Sequence, residues 1–285
     1  WLKSRDSKRY PVGNFFCRQC HASGGPEKLA MLLATAKGEY KPAVRRSFPK
    51  SVLIPTTKVE PVPPAIKDEN YLNIVRCAQR CLTHSTHRMQ AQIFLRSRGI
   101  TLETALKHGL GYIERNNPYK PLRAKEYEPR LPVGLLIPSY RDGELRSIKV
   151  RAMDGDENNN SGNYAKYREL ADCPAMPYIL KANSNGNTPL LIVESELDAI
   201  LLEQFGGSLF NYIGLGSASA KADAGVADMI DRARRVIFLP DYDDAGYAAY
   251  ERWKTQFPKL ELAELPLGKD PGEALLAGVD LKAWL

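Results

Sequence analysis

The sequence predicts an α/β protein. A parallel sheet, covered by helices on both faces, fills the last third, and a mixed α+β region precedes it. Two observations carry this. From residue 190 onward, short apolar runs alternate with stretches of helix length, as strands joined by crossover helices must. Three apolar stretches there also run into acids: Leu191-Ile-Val-Glu194-Ser-Glu-Leu-Asp198, Val236-Ile-Phe-Leu-Pro-Asp241-Tyr-Asp243-Asp-Ala-Gly246 and Pro266-Leu-Gly-Lys269-Asp270-Pro-Gly-Glu273. In an open α/β sheet the carboxyl ends of the strands form the crevice that takes ligands.

In chain order, residues 1–40 read as a small loop-rich segment, with a short helix over 26–37 between Pro26 and Gly38. Residues 41–67 contain Pro42, Pro49, Pro55, Pro61, Pro63 and Pro64 and read as an extended linker. Residues 68–189 form the mixed region. Helices are expected from about Leu72 to Leu82, over 86–97, and from Thr101 to about Gly109. A hairpin follows, 134–140 and 144–151, turning at Asp142-Gly143. On its second strand Leu145, Ile148 and Val150 face a core while Lys149 and Arg151 face elsewhere. Residues 154–163 are a polar loop. Residues 190–285 then give strand 190–193, helix 195–205, strand 208–213, helix 221–232, strand 235–240, helix 244–257, strand 260–265 and helix 271–277. There is no internal repeat.

A chain of 285 residues with 44% hydrophobic content can bury a sizeable core and hold two domains. No apolar run approaches membrane-spanning length and no apolar signal segment opens the sequence, so a cytoplasmic protein is expected. Five cysteines suit a reducing compartment. The net charge of +7 divides into +8 over residues 1–50, +6 over 51–189 and −7 over 190–285. A basic front attracts polyanions; an acidic back takes a phosphate when cations are present.

Glu194, Asp241, Asp243 and Asp270 are expected to meet at one spot. Such carboxylates repel without a divalent cation, and oxygen ligands suit Mg²⁺ (or Mn²⁺) with a phosphate substrate. The bland alternative is helix capping by Asp241, Asp244 and Glu194, which explains one such site more easily than three in succession. Arg146, Lys149, Arg151, Lys166 and Arg168 lie on or beside the hairpin, with Tyr164 and Tyr167 between them. They suit phosphate contact and base stacking, or form a solvated strand face. Cys77, Cys81, His84 and His87 read as buried cysteines beside exposed histidines rather than as a metal site.

The three acidic motifs together resemble the Toprim domain of bacterial-type primases, type IA and type II topoisomerases, OLD-type nucleases and RecR recombination proteins. That resemblance implies Glu194 as a general acid or base, Asp241 and Asp243 as magnesium ligands, and Asp198 and Asp270 as supporting acids. Ser195 stands where many members have glycine. Phe94-Leu-Arg-Ser-Arg-Gly99 with Gly109-Leu-Gly111-Tyr112, and Ile148-Lys149-Val-Arg151 with Ala165-Lys166-Tyr167, resemble more weakly the helical lead-in and basic subdomain of the primase RNA-polymerase core. Cys17-Arg-Gln-Cys20-His21 after Phe15-Phe16 resembles the second half of a zinc ribbon. Structural zinc needs four ligands, so an upstream half is missing, His21 substitutes, or zinc is not bound; haem attachment through Cys-x-x-Cys-His is disfavoured without an export signal. No Gly-x-x-x-x-Gly-Lys-Ser/Thr loop is present, which points away from an OLD-type nuclease and towards a separate replicative helicase.

The resulting expectation is a phage- or mobile-element-type primase core joining ribonucleoside triphosphates on single-stranded DNA. Lys149, Arg151, Lys166 and Lys269, with Arg146 and Arg168, would serve nucleotide or template. A Toprim nuclease and a recombination mediator with a degenerate site are the alternatives.

Overall fold

The computed structural model describes the strands at 15–16 and 23–24 and residues 59–86, 88–114, 133–153, 166–170, 173–181, 188–217 and 219–285. The chain divides into two units, Trp1–Leu53 and Ile54–Leu285. In the first, β1 (Phe15–Phe16) pairs antiparallel with β2 (Ser23–Gly24). Cys17, Cys20, the 26–37 helix, His87, Tyr164 and the 154–163 loop lie outside the described residues.

In the second unit, three helices come first. Asp68 caps α1 (Glu69–His84) by accepting the Asn70 N–H, which starts the helix three residues before the expected Leu72. α2 (Arg88–Ser97) follows, then α3 (Leu102–Lys107), capped by Thr101. Cys77 is buried on the apolar face of α1, while Cys81 makes a long contact to Glu114.

β3 (Gly111–Ile113), β4 (Gly134–Arg141), β5 (Glu144–Ala152) and β6 (Tyr167–Glu169) make an antiparallel sheet in that order. The hairpin β4–β5 turns at Asp142 and Gly143, both at positive φ, the geometry that matches strand twist in a two-residue loop. Leu136, Ile148 and Val150 pack with α1 on one face. Directly opposed residues in antiparallel strands share a face. Lys149 opposes Glu169 and Arg151 opposes Tyr167, so these four share the other face.

The second sheet runs β11–β10–β8–β9–β7. β8 (Leu190–Val193), β9 (Asn211–Gly214), β10 (Val236–Leu239) and β11 (Leu260–Leu262) are parallel; β7 (Tyr178–Leu180) is an antiparallel edge not anticipated from the sequence. Alternation along the strands splits the core. Leu191, Val193 and Leu239 pack with α4 (Glu196–Gly206), α7 (Pro271–Leu276) and α8 (Leu281–Trp284). Leu190, Ile192, Val236 and Phe238 pack with α5 (Ala224–Arg232) and α6 (Asp244–Gln256). The first of these clusters also takes Leu95, Tyr112, Leu135 and Ile137, so both sheets share one core. The strand expected at 208–213 forms as β9 but starts at Asn211, because a 3₁₀ turn at Gly207–Leu209, entered where Gly207 takes φ +52°, precedes it.

The expected linker is pinned over its described part. Glu60 bonds through its backbone to Ala222 and Ala224, Ile66 N–H reaches the Leu145 carbonyl, and Arg146 holds the Pro63 carbonyl at 2.8 Å.

Candidate active site

β8 lies between β9 and β10. The chain leaves β8 towards β9 over one face and returns to β10 over the other, so the crevice opens between the carboxyl ends of β8 and β10. Val193 opposes Leu239 there, so Glu194 and Asp241 emerge side by side. Glu194 Oε1 accepts the Asp241 N–H at 3.2 Å.

The capping alternative resolves residue by residue. Ser195, not Glu194, caps α4: its Oγ accepts the Asp198 N–H at 3.1 Å and donates to Asp198 Oδ2 at 2.5 Å. Asp243 caps α6 through the Gly246 N–H at 2.8 Å, and Asp270 caps α7 through the Glu273 N–H at 2.7 Å. Glu194 and Asp241 are therefore not spent as caps. Gly246 admits them: a Cβ there would stand 2.3 Å from the Asp241 carbonyl and 2.5 Å from Glu194 Oε1.

The acids lie within one another's fields, Asp270 acting on Asp241 and both Asp241 and Asp243 on Glu194, but their partners divide them into two groups. Lys269 Nζ lies 2.8 Å from Asp243 Oδ2 and 3.5 Å from Asp241 Oδ2, making one group with Glu194. Asp270, 3.6 Å from an Arg98 nitrogen, and the buried Asp198 make a second. Two of the acids are fixed at helix N-termini and Asp198 sits one turn inside α4, which spreads the carboxylates. Among the described residues, no three Asp, Glu, His or Cys side chains are gathered as a ready metal cage. Asp241 and Asp243 nonetheless reach a common cation, the Lys269 ammonium, and their oxygen donors are of the type a hard divalent ion takes.

Charge is concentrated here. Burial first, then Asp241, pushes the Glu194 carboxyl up. Burial does the same to Asp241 against the pull of Lys269, with Asp270 and Asp243 adding to the rise. Asp198 rises to about 7 through burial and then Asp270. Asp243 is held down by its hydrogen bond from Lys269, and Lys269 is raised by that bond.

The basic residues separate. Lys166 is exposed, and burial of part of its stem together with the fields of Arg151, Arg98 and Lys269 lowers its pKa. Arg151 is itself buried, with its guanidinium 4.1 Å from the Phe94 ring centre. These cations border the acids. Lys149 is buried and paired with Glu196, a placement that removes it from open phosphate contact. Arg146 binds Pro63 and Glu144, and Arg168 opposes Val150 on the sheet's other face. Strand parity alone separates Lys149 and Arg151 from Arg168. The residues not anticipated are Arg98 and Glu196. Arg98 comes from the end of α2, far away in sequence. Glu196 was legible as part of the first acidic motif, but its buried partner was not.

Residues 191–275 match the Toprim-like family. The chain is 28% identical over 193 residues to a DNA helicase/primase of Enterobacteria phage T3, a match over 65% of this chain that spans 30% of that protein's length. Its fold is similar to the zinc-binding and RNA-polymerase domains of the Aquifex aeolicus primase (TM-score 0.57, 17% identity, 95% of this chain and 72% of that one). It is also similar to a DnaG primase catalytic domain solved bound to single-stranded DNA (TM-score 0.55, 19% identity, 76% and 75%). Residues 191–275 are thus a Toprim-like domain, set in a chain with the fold of bacterial DNA-primase catalytic cores.

Proposed function

We propose that this chain is the catalytic core of a DNA primase, synthesising short RNA primers on single-stranded DNA by metal-dependent nucleotidyl transfer. The observation that carries this is the pair Glu194–Asp241, two adjacent strand-end acids that no helix cap consumes, bordered by Asp243 and Lys269, with Arg98 and Lys166 beside the neighbouring Asp270. Phosphoryl chemistry of this kind is catalysed by positioning and charge stabilisation, and both signs of charge meet here.

Asp241 and Asp243 would hold Mg²⁺ (or Mn²⁺), with Asp198 and Asp270 supplying negative charge behind them. The bound ion supplies activation of the 3′ hydroxyl and neutralisation of the leaving pyrophosphate. Glu194, its carboxyl already pushed up, takes the proton from the attacking hydroxyl at Oε1 or Oε2. Lys269 balances the acids before substrate arrives, and the exposed Lys166, with Arg151 buried behind it, draws in the triphosphate or the template phosphates. The phage relative's name joins helicase with primase, which supports a helicase as partner.

Purified protein given single-stranded template, labelled ribonucleoside triphosphates and Mg²⁺ should yield short growing oligoribonucleotides. Asp241→Ala should abolish synthesis while a mobility shift with single-stranded DNA persists. Shortened DNA in place of new product would establish the nuclease, and a shift without chemistry in the unaltered protein would establish the mediator. Full synthesis by Asp241→Ala would overturn the site assignment.

A further inference from the structure

Lys149 and Glu196 form an ion pair in the protein interior. Lys149 stands in β5 and Glu196 is the first residue of α4. Nζ donates to Oε1 at 2.5 Å, with the side chains 8% and 3% exposed. A buried ion pair contributes little net stability, because both ions lose their water; its best-attested use is to fix how two elements meet.

The surroundings are built for this pair. Lys149 Nζ also lies 3.4 Å from the Gly216 carbonyl, 3.7 Å from Glu169 Oε1 and 5.6 Å from the Tyr167 ring centre. Gly216 has φ +78°, and a Cβ there would stand 2.6 Å from both Glu196 Oε1 and Lys149 Nζ. The loop after β9 therefore closes over the pair as glycine. Among the described residues Glu196 Oε2 is buried without a hydrogen-bond partner, so Lys149 is what holds this carboxylate inside. Arg151, two residues along β5, shares the Lys149 face; Glu194 lies two residues before Glu196.

We propose that Glu196 is a positioning residue. Through Lys149 it locks β5 to the first turn of α4 and so sets the spacing between the acids and the Arg151–Lys166 cations. The inference rests on the nucleotidyl-transfer reading: a nucleoside triphosphate must touch both signs of charge at once, so this spacing governs its binding. Glu196 itself stays out of contact with substrate.

Glu196→Gln keeps the shape and removes the charge. Its KM for ribonucleoside triphosphates should rise about tenfold while kcat and the Mg²⁺ concentration for half-activation stay near those of the unaltered protein. Exchanging the pair (Lys149→Glu with Glu196→Lys) should bring KM back. An unchanged KM, a loss confined to kcat, or an exchanged pair that folds without recovering KM would each overturn the proposal. Amide hydrogen exchange on the same variants reads the lock without any activity. Glu196→Gln should speed exchange in β5 and the first turn of α4 and leave β8 unaffected; uniform exchange across all three also overturns it. An unaltered protein that makes no primers while Glu196→Gln still loosens β5 and α4 would defeat the primase reading and leave the lock standing.

Discussion

At Asp198, position decides chemistry. The side chain accepts from Ser195 inside α4, buried beside Asp270 and Asp241, and its pKa moves from 3.8 to about 7. Below pH 3.8 the folded and unfolded chains both hold the proton. Between 3.8 and about 7 the unfolded chain has released it and the folded chain has not, so stability falls as pH rises through that window. Urea unfolding without added metal should show this decline from pH 4 to 7, and Asp198→Asn should flatten it. Equal slopes in the two proteins would show that Asp198 does not titrate as its surroundings imply. The acid was legible in the first motif; its burial was not, because the side chains that shut out water come from other segments.

At the scale of elements, the capping of α4 explains a sequence departure. Ser195 replaces the glycine many Toprim domains carry, and it supplies the hydrogen bond a helix N-terminus lacks. Ser195→Ala should cost about 1 kcal/mol of stability and Ser195→Gly a few tenths, measured by denaturant unfolding. Equal losses would mean that the hydroxyl's bond to Asp198, rather than the cap, is what counts. Strand β8 was legible as an unbroken apolar run ending in an acid, and the hairpin through the alternation on its second strand and its Asp-Gly turn. β7 and β6 were not. Each has three residues, too few to show a period, and each is a strand because a longer neighbour supplies its hydrogen bonds.

For the molecule as a whole, the charge division predicts a salt-sensitive contact with single-stranded DNA, but the fold divides the cations by task. Lys166→Ala should reduce the slope of log affinity against log salt by about 0.7. Arg146→Ala should leave that slope unchanged and lower stability by roughly 1.5–3 kcal/mol, since its guanidinium holds the 59–68 segment to β5 through the Pro63 carbonyl. A shared loss of slope would put both residues on the nucleic acid. Residues 190–285 alone determined the α/β class, the strand-end acids and the Toprim resemblance, because short-range periodicity and motif spacing are written within one segment. Which acids stand free, which are spent on helix ends, and that Lys149 is sealed inside with Glu196 were settled by packing. Those outcomes depend on which distant side chains share a face and exclude water, and local spacing holds no record of that.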